Sequence, residues 1–246
     1  MKQPDWRSTV KGTAELIREE LRSYAEPERA VSSRRFFKTA RGQYGEGDRF
    51  LGIRVPHIRR VVRARRGLSE DVTMEFLGSP WHEERLFALL MLVDTFGRGD
   101  EQLKERVYDI YMSSTRYINN WDLVDSSAPG IPGAWLFARS REPLYEFAGS
   151  EDLWKRRISI VATHHFIRHD DHADTLEISR LLLNDEHDLI HKAVGWMLRE
   201  VGKRDPEAQE AFLRKHCRVM PRTMLRYAIE RMPEDRRQMY MRGDVQ

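Results

Sequence analysis

The chain is nearly devoid of cysteine: Cys217 is the only one in 246 residues. That excludes an internal disulfide and a cysteine-built metal cluster, and it makes a reducing cytoplasm the expected setting. Long apolar runs are missing as well. The longest, Leu86 to Val93, covers eight residues before Asp94, far below the ~20 needed to span a membrane. No basic-then-apolar leader opens the sequence, so secretion is not expected. Glycine-rich phosphate loops and a Gly-x-Ser-x-Gly elbow are absent, and no Ser/Gly-rich spacer divides the chain. Charge of one sign hardly prevails: 42 Lys and Arg against 39 Asp and Glu leave a net +3. An anionic partner must therefore be read from where the cations sit.

What is present is helix. Hydrophobic residues make up 40% and aromatics 10% of the sequence, enough apolar content to exclude a disordered chain. Apolar side chains recur at helical spacing throughout, without sustained alternation of period two. Gly and Pro gather between those stretches. Ser69 and the Asp205–Pro206 pair read as helix starts. The expected fold is all-α in a single domain.

Aligning the apolar blocks reveals a repeat. Arg85, Trp121, Arg157, Lys192 and Arg226 occupy one slot at intervals near 35 residues, the size of a two-helix solenoid unit. Positions two and three residues beyond the slot are mostly apolar or small, as a packed face requires. One turn and two turns beyond it stand Asp125, His164, Trp196 and Arg199. Equivalent faces of stacked helices line one continuous surface, usually the concave one. This surface then carries Arg85, Trp121, Asp125, Arg157, His164, Lys192, Trp196, Arg199 and Arg226. Cations interleaved with indoles suit a phosphate backbone together with something flat or cationic. Solvated charges and half-buried tryptophans are the plain alternative. A second basic run, Arg54 to Arg66, reads as the outer face of a helix begun near Pro56. His164, His165, His169 and His172 do not have zinc-ligand spacing, so no metal is expected there.

The segments Trp121-Asp122-Leu123-Val124-Asp125 and Lys192 through Glu200 resemble signature segments of the AlkD-type DNA alkylation repair family. Phe50-Leu51-Gly52-Ile53 followed by Pro56, Trp154 to Arg157, and Arg222 to Glu230 add to the likeness, which runs from about residue 35 to residue 232. Members of that family are bacterial DNA glycosylases built from HEAT-like helical repeats, and they excise cationic N3- and N7-alkylated purines from DNA. The resemblance implies Asp125 as catalytic carboxylate, Trp121 and Trp196 as the indoles flanking the substrate, and Arg157 as a backbone contact. Arg85, His164, Lys192, Arg199 and Arg226 are then expected to bind DNA. It also implies a monomer acting on double-stranded DNA with no cofactor and no metal. Two rivals remain: a catalytically silent repeat protein gripping bent or branched DNA, and a protein–protein scaffold. Residues 1–35 are expected as a helical cap, 36–232 as repeats, and 233–246 as a tail. The Pro- and Gly-rich stretch Ser126 to Gly133 leaves the backbone after Asp125 open.

Overall fold

The structure, a computed structural model, describes residues 6–244; the first five residues of the expected cap and the last two of the expected tail lie outside these. Among the described residues the regular elements are helices, apart from one isolated bridge between Arg49 and Trp81. The described residues form two compact units, one ending at Ser127 and the other beginning at Ala128.

In the first unit α1 (Trp6–Arg22), α2 (Pro27–Phe36), α3 (Val55–Ala64) and α4 (Glu70–Leu77) precede α5 (His82–Arg98), α6 (Glu101–Ser113) and α7 (Trp121–Ser127). Local chemistry sets the helix starts. Ser69 accepts from the Val72 amide at 3.5 Å and Asp100 from the Leu103 amide at 2.9 Å, filling donors that a first turn leaves orphaned. Helix α5 is the centre of this unit and packs against α3, α4, α6 and α7. Every residue from His82 to Leu92 is buried, and the all-apolar stretch Leu86–Leu92 takes the enclosed position that such a run requires.

One carboxylate organises the turn at residues 50–53. Buried Glu83 accepts the amides of Leu51 at 2.9 Å, Gly52 at 2.7 Å and Ile53 at 3.2 Å. A buried loop has few other ways to pair its backbone donors. Gly52 sits at φ +80°, and a Cβ on it would lie 2.2 Å from the Glu26 carbonyl oxygen. Gly52→Ala is therefore expected to destabilise the protein by about 2–4 kcal/mol, the left-handed penalty plus a displaced backbone. Gly47, at φ +86° with open space around it, provides the comparison: Gly47→Ala should cost only ~1–2 kcal/mol. Urea midpoints of both variants check this, and equal midpoints would mean that the Glu26 contact does not constrain the turn.

The second unit begins with a π-helical turn, Pro129–Gly133, in which the Gly133 amide donates to the Ala128 carbonyl at 2.9 Å. The Pro- and Gly-rich stretch thus continues as a wide helical turn instead of breaking into loop. Then follow α8 (Ala134–Leu136), α9 (Glu142–Ala148), α10 (Leu153–Ala162), α11 (His164–Arg168) and α12 (Ala173–Leu181). Helices α13 (Asp188–Gly202), α14 (Pro206–His216), α15 (Arg222–Ala228) and α16 (Glu234–Arg242) complete it. Asp205 caps α14 by accepting the Ala208 amide at 2.9 Å. The helices that carry the sequence slot pack on one another within each unit: α5 on α7, α10 on α13, and α13 on α15. The last pair closes tightly at Gly195, where a Cβ would fall 2.5 Å from the Met224 carbonyl oxygen. The segment expected as a tail carries α16. Its Tyr240 is buried, with the hydroxyl donating to Glu210 at 2.5 Å, and Arg236 pairs with the same carboxylate.

Candidate functional site

Helix α7 places two of the expected residues one turn apart: Trp121 opens it and Asp125 follows, both half-buried. The Trp121 indole stacks on Phe37 at 5.3 Å between centroids and meets Phe36 edge-on at 5.7 Å. Phe36 is 65% exposed, so an aromatic ledge reaches solvent beside the indole. The carboxylate of Asp125 acts on the buried phenol of Tyr111. Burial is the main force pushing that phenol's pKa up; the hydrogen bond to Ser127 at 3.1 Å opposes it, and the Asp125 charge adds to the rise.

The start of α7 is fixed by a buried ionic network. His82 lies with Nδ1 3.1 Å from Asp48 and Nε2 2.8 Å from Asp122. Burial disfavours its charge, but the Asp122 and Asp48 carboxylates outweigh that and push its pKa up to about 9. The ring is thus an imidazolium at neutral pH. The other Asp48 oxygen accepts from Arg85 at 2.5 Å, and Asn120 donates to Asp48 at 3.1 Å. Asn120 in turn accepts the Trp121 amide at 2.9 Å. Burial works to raise the Asp48 carboxyl, but His82 and Arg85 hold it below its ordinary value. A chain of partners therefore runs from the loop at Asp48 to the first turn of α7.

In the second unit Trp196 is half-buried on α13, its indole N–H donating to Glu200 at 3.2 Å and its ring 5.6 Å from that of His164. Burial, with Arg168 adding to it, lowers the His164 pKa and so favours the neutral ring. Arg157 is buried and donates to the Leu189 carbonyl at 2.5 Å, bracing α10 against the first turn of α13. Lys192 pairs with Asp188 at 2.6 Å. Arg199 pairs with Glu200 at 3.3 Å and with Glu230. Arg226 is exposed on α15.

A family profile described as "DNA alkylation repair enzyme" matches residues 17–232. The chain belongs to that family. Among solved structures, a predicted DNA alkylation repair enzyme from Enterococcus faecalis is similar with a TM-score of 0.66. The two chains are 16% identical, and the match covers 85% of this chain and 97% of that one. At that identity the likeness is one of fold. No curated protein sequence matches the chain.

For this DNA alkylation repair family member, several expected site residues need a different reading. Arg85 shares the slot register but not a solvent-facing surface. It is 4% exposed, turned onto Asp48, the Ser79 carbonyl and Asn119, so a DNA contact from it is withdrawn. The reason is that α5 is enclosed on every side, and register alone does not reveal a covering neighbour. Arg157 likewise serves helix packing through Leu189. Of the basic run, Arg54 pairs with Glu26, Arg65 with Glu20 and Arg66 with Asp94, while Arg59, Arg60 and Arg63 face water. Among the described residues, no group of three or more His, Cys, Asp or Glu could hold a metal ion. Sequence reasoning overlooked Asp48, His82 and Asp122. A signal was there: His82-Glu83-Glu84-Arg85 puts four consecutive titratable residues directly before the longest apolar run of the sequence. Packing that run must bury several of them with partners.

Proposed function

We propose that the protein is a DNA glycosylase, built of HEAT-like repeats, that hydrolyses the N-glycosidic bond of cationic N3- and N7-alkylated purines in duplex DNA. Such bases include 3-methyladenine and 7-methylguanine. The observation that carries this reading is the pairing on α7 of a half-buried carboxylate, Asp125, with an indole one turn away that rests on an aromatic ledge. Membership of the DNA alkylation repair family supplies the context.

The chemistry accounts for these residue types. An alkylated purine already carries positive charge, so the C1′–N bond breaks with its electron pair passing to the base, which leaves neutral. No acid, metal or cofactor is required for that departure. Positive charge develops on the sugar instead, and a fixed carboxylate stabilises it and orients the water that adds at C1′. That water's second proton passes to Asp125 or to solvent. The faces of Trp121 and Trp196 attract cationic sugar and base. Arg226, and Lys192 and Arg199 once their exposed partners Asp188 and Glu230 exchange for DNA, supply phosphate contacts. We place the work in the cytoplasm, by a monomer.

Incubating the purified protein with methylated duplex DNA, then separating the released bases by chromatography, tests the reading. Release of 7-methylguanine and 3-methyladenine is expected. Tight binding of the same DNA without release would replace the glycosylase with the non-catalytic reading.

A further inference from the structure

At the far end of the second unit, α13, α15 and α16 enclose an open cleft of about 870 Å³. Its lining includes Arg199, Arg222, Arg226, Arg237 and Arg242, against one acid, Glu230. Two of these arginines, Arg237 and Arg242, come from α16, which lies beyond the matched residues 17–232. The cleft is therefore completed by a helix that the family profile does not include.

Helix α16 is seated firmly. Tyr240 and Arg236 attach it to Glu210 of α14, and Arg222 donates to the Met241 carbonyl at 2.8 Å, joining α15 to it. Arg237, Gln238, Met241 and Arg242 fall on one face at helical spacing and line the cleft. The ion pairs these arginines make there are exposed ones: Arg237 with Glu234 at 2.9 Å and Arg242 with Asp244 at 3.3 Å. Such pairs are worth little in water and yield readily to a better anion. Arg226 has no carboxylate partner among the described residues.

We infer that this cleft binds the phosphodiester backbone of duplex DNA, on the stretch of strand that continues past the Trp196 face. The inference rests on the proposed function for which macromolecule arrives. Two observations select a phosphate ligand. The cations are all arginines, whose planar forks bind phosphate oxygens in pairs. The cleft is also continuous with the site: Arg199 lines it and stands three residues after Trp196 on α13, on neighbouring positions of one helix surface. A strand lying along Trp196 and past Arg199 enters the cleft.

The test compares the wild type with Arg237→Gln/Arg242→Gln and Arg237→Lys/Arg242→Lys, all on an undamaged duplex of about two helical turns across a salt series. Both arginines are exposed, and a thermal melt verifies that the variants fold. The wild-type log–log salt slope should become shallower by about two units in the glutamine variant, because each lost phosphate contact removes ~0.9. The lysine variant should retain most of the slope, since it keeps the charge while losing the fork. An unchanged slope in the glutamine variant overturns the inference. So does pyrophosphate binding that the glutamine variant loses while its duplex slope stays intact, because the cleft is then a free-anion site. Base release from methylated duplex is measured alongside: a cleft-dependent slope without any excision of alkylated bases would sink the glycosylase and leave the cleft assignment standing.

Discussion

Asp125→Asn should excise 7-methylguanine on the order of 10²–10³ times more slowly than the wild type in single turnover, the usual cost of removing one fixed electrostatic partner from a transition state. The substitution retains size and shape and deletes only the charge that opposes the developing sugar cation. Affinity for methylated duplex should be unchanged or slightly tighter, because a carboxylate facing phosphates is repelled by them. Asp125 stands in the middle of α7 and its charge acts on Tyr111, so a purely structural role has a distinct signature. In that case excision would stay near normal and the melting temperature would fall. Running the melt beside the kinetics separates the outcomes, and near-normal excision by a folded Asp125→Asn protein would falsify the mechanism.

The second large effect concerns His82 and pH. Its pKa in the folded protein is raised to about 9 from an ordinary value of 6.5. A group raised in this way contributes its full stabilisation below about pH 6.5 and loses it as pH climbs through about 9. The span corresponds to stability on the order of 3 kcal/mol, so urea unfolding should show a marked decline from pH 6.5 to pH 9.5. His82→Gln should be less stable than wild type at pH 6.5 and should flatten that decline. Parallel pH profiles for the two proteins would show that the imidazolium is not the cause. Loss of the charge affects the two carboxylates unequally. Asp48 retains Arg85 and Asn120, whereas Asp122 loses the partner that holds the first turn of α7. Excision should therefore weaken over the same alkaline range even where the protein remains folded.

Much of this arrangement was legible in the sequence, for physical reasons that differ from residue to residue. Trp121 and Asp125 could be paired because four residues make one helical turn, whatever the helix packs against. Ser69 and Asp205 could be read as helix starts because a cap is a local interaction. The slot register predicted which helices pack together, since repeats place equivalent faces against one another. It did not predict exposure, and Arg85 shows why. An angular position on a helix states a direction, while burial depends on what lies there. Here the Asp48 loop and the Asn119–Asn120 segment do, 37 and roughly 35 residues away in sequence. The His82 network was hidden for the same reason, its partners lying 34 and 40 residues off. Helix α16 does not stand out in the sequence because it is strongly charged and buries one residue, Tyr240.

The network at Asp48 also bears on the order in which the chain folds. Helical repeats mostly close contacts between neighbours, which makes for fast and piecewise folding. The Asn120–Asp48 hydrogen bond spans 72 residues, and the Glu83 contacts to the 51–53 amides span 30 to 32. The first unit consequently cannot ripen one helix pair at a time. The opening turn of α7 pairs with α5 through His82 and with the loop through Asn120 and Asp48, so loosening the loop removes one of its supports. Asp48 and the opening of α7 are thus tied into one hydrogen-bonded network, and amide exchange across residues 48–53 and 121–125 should rise and fall together.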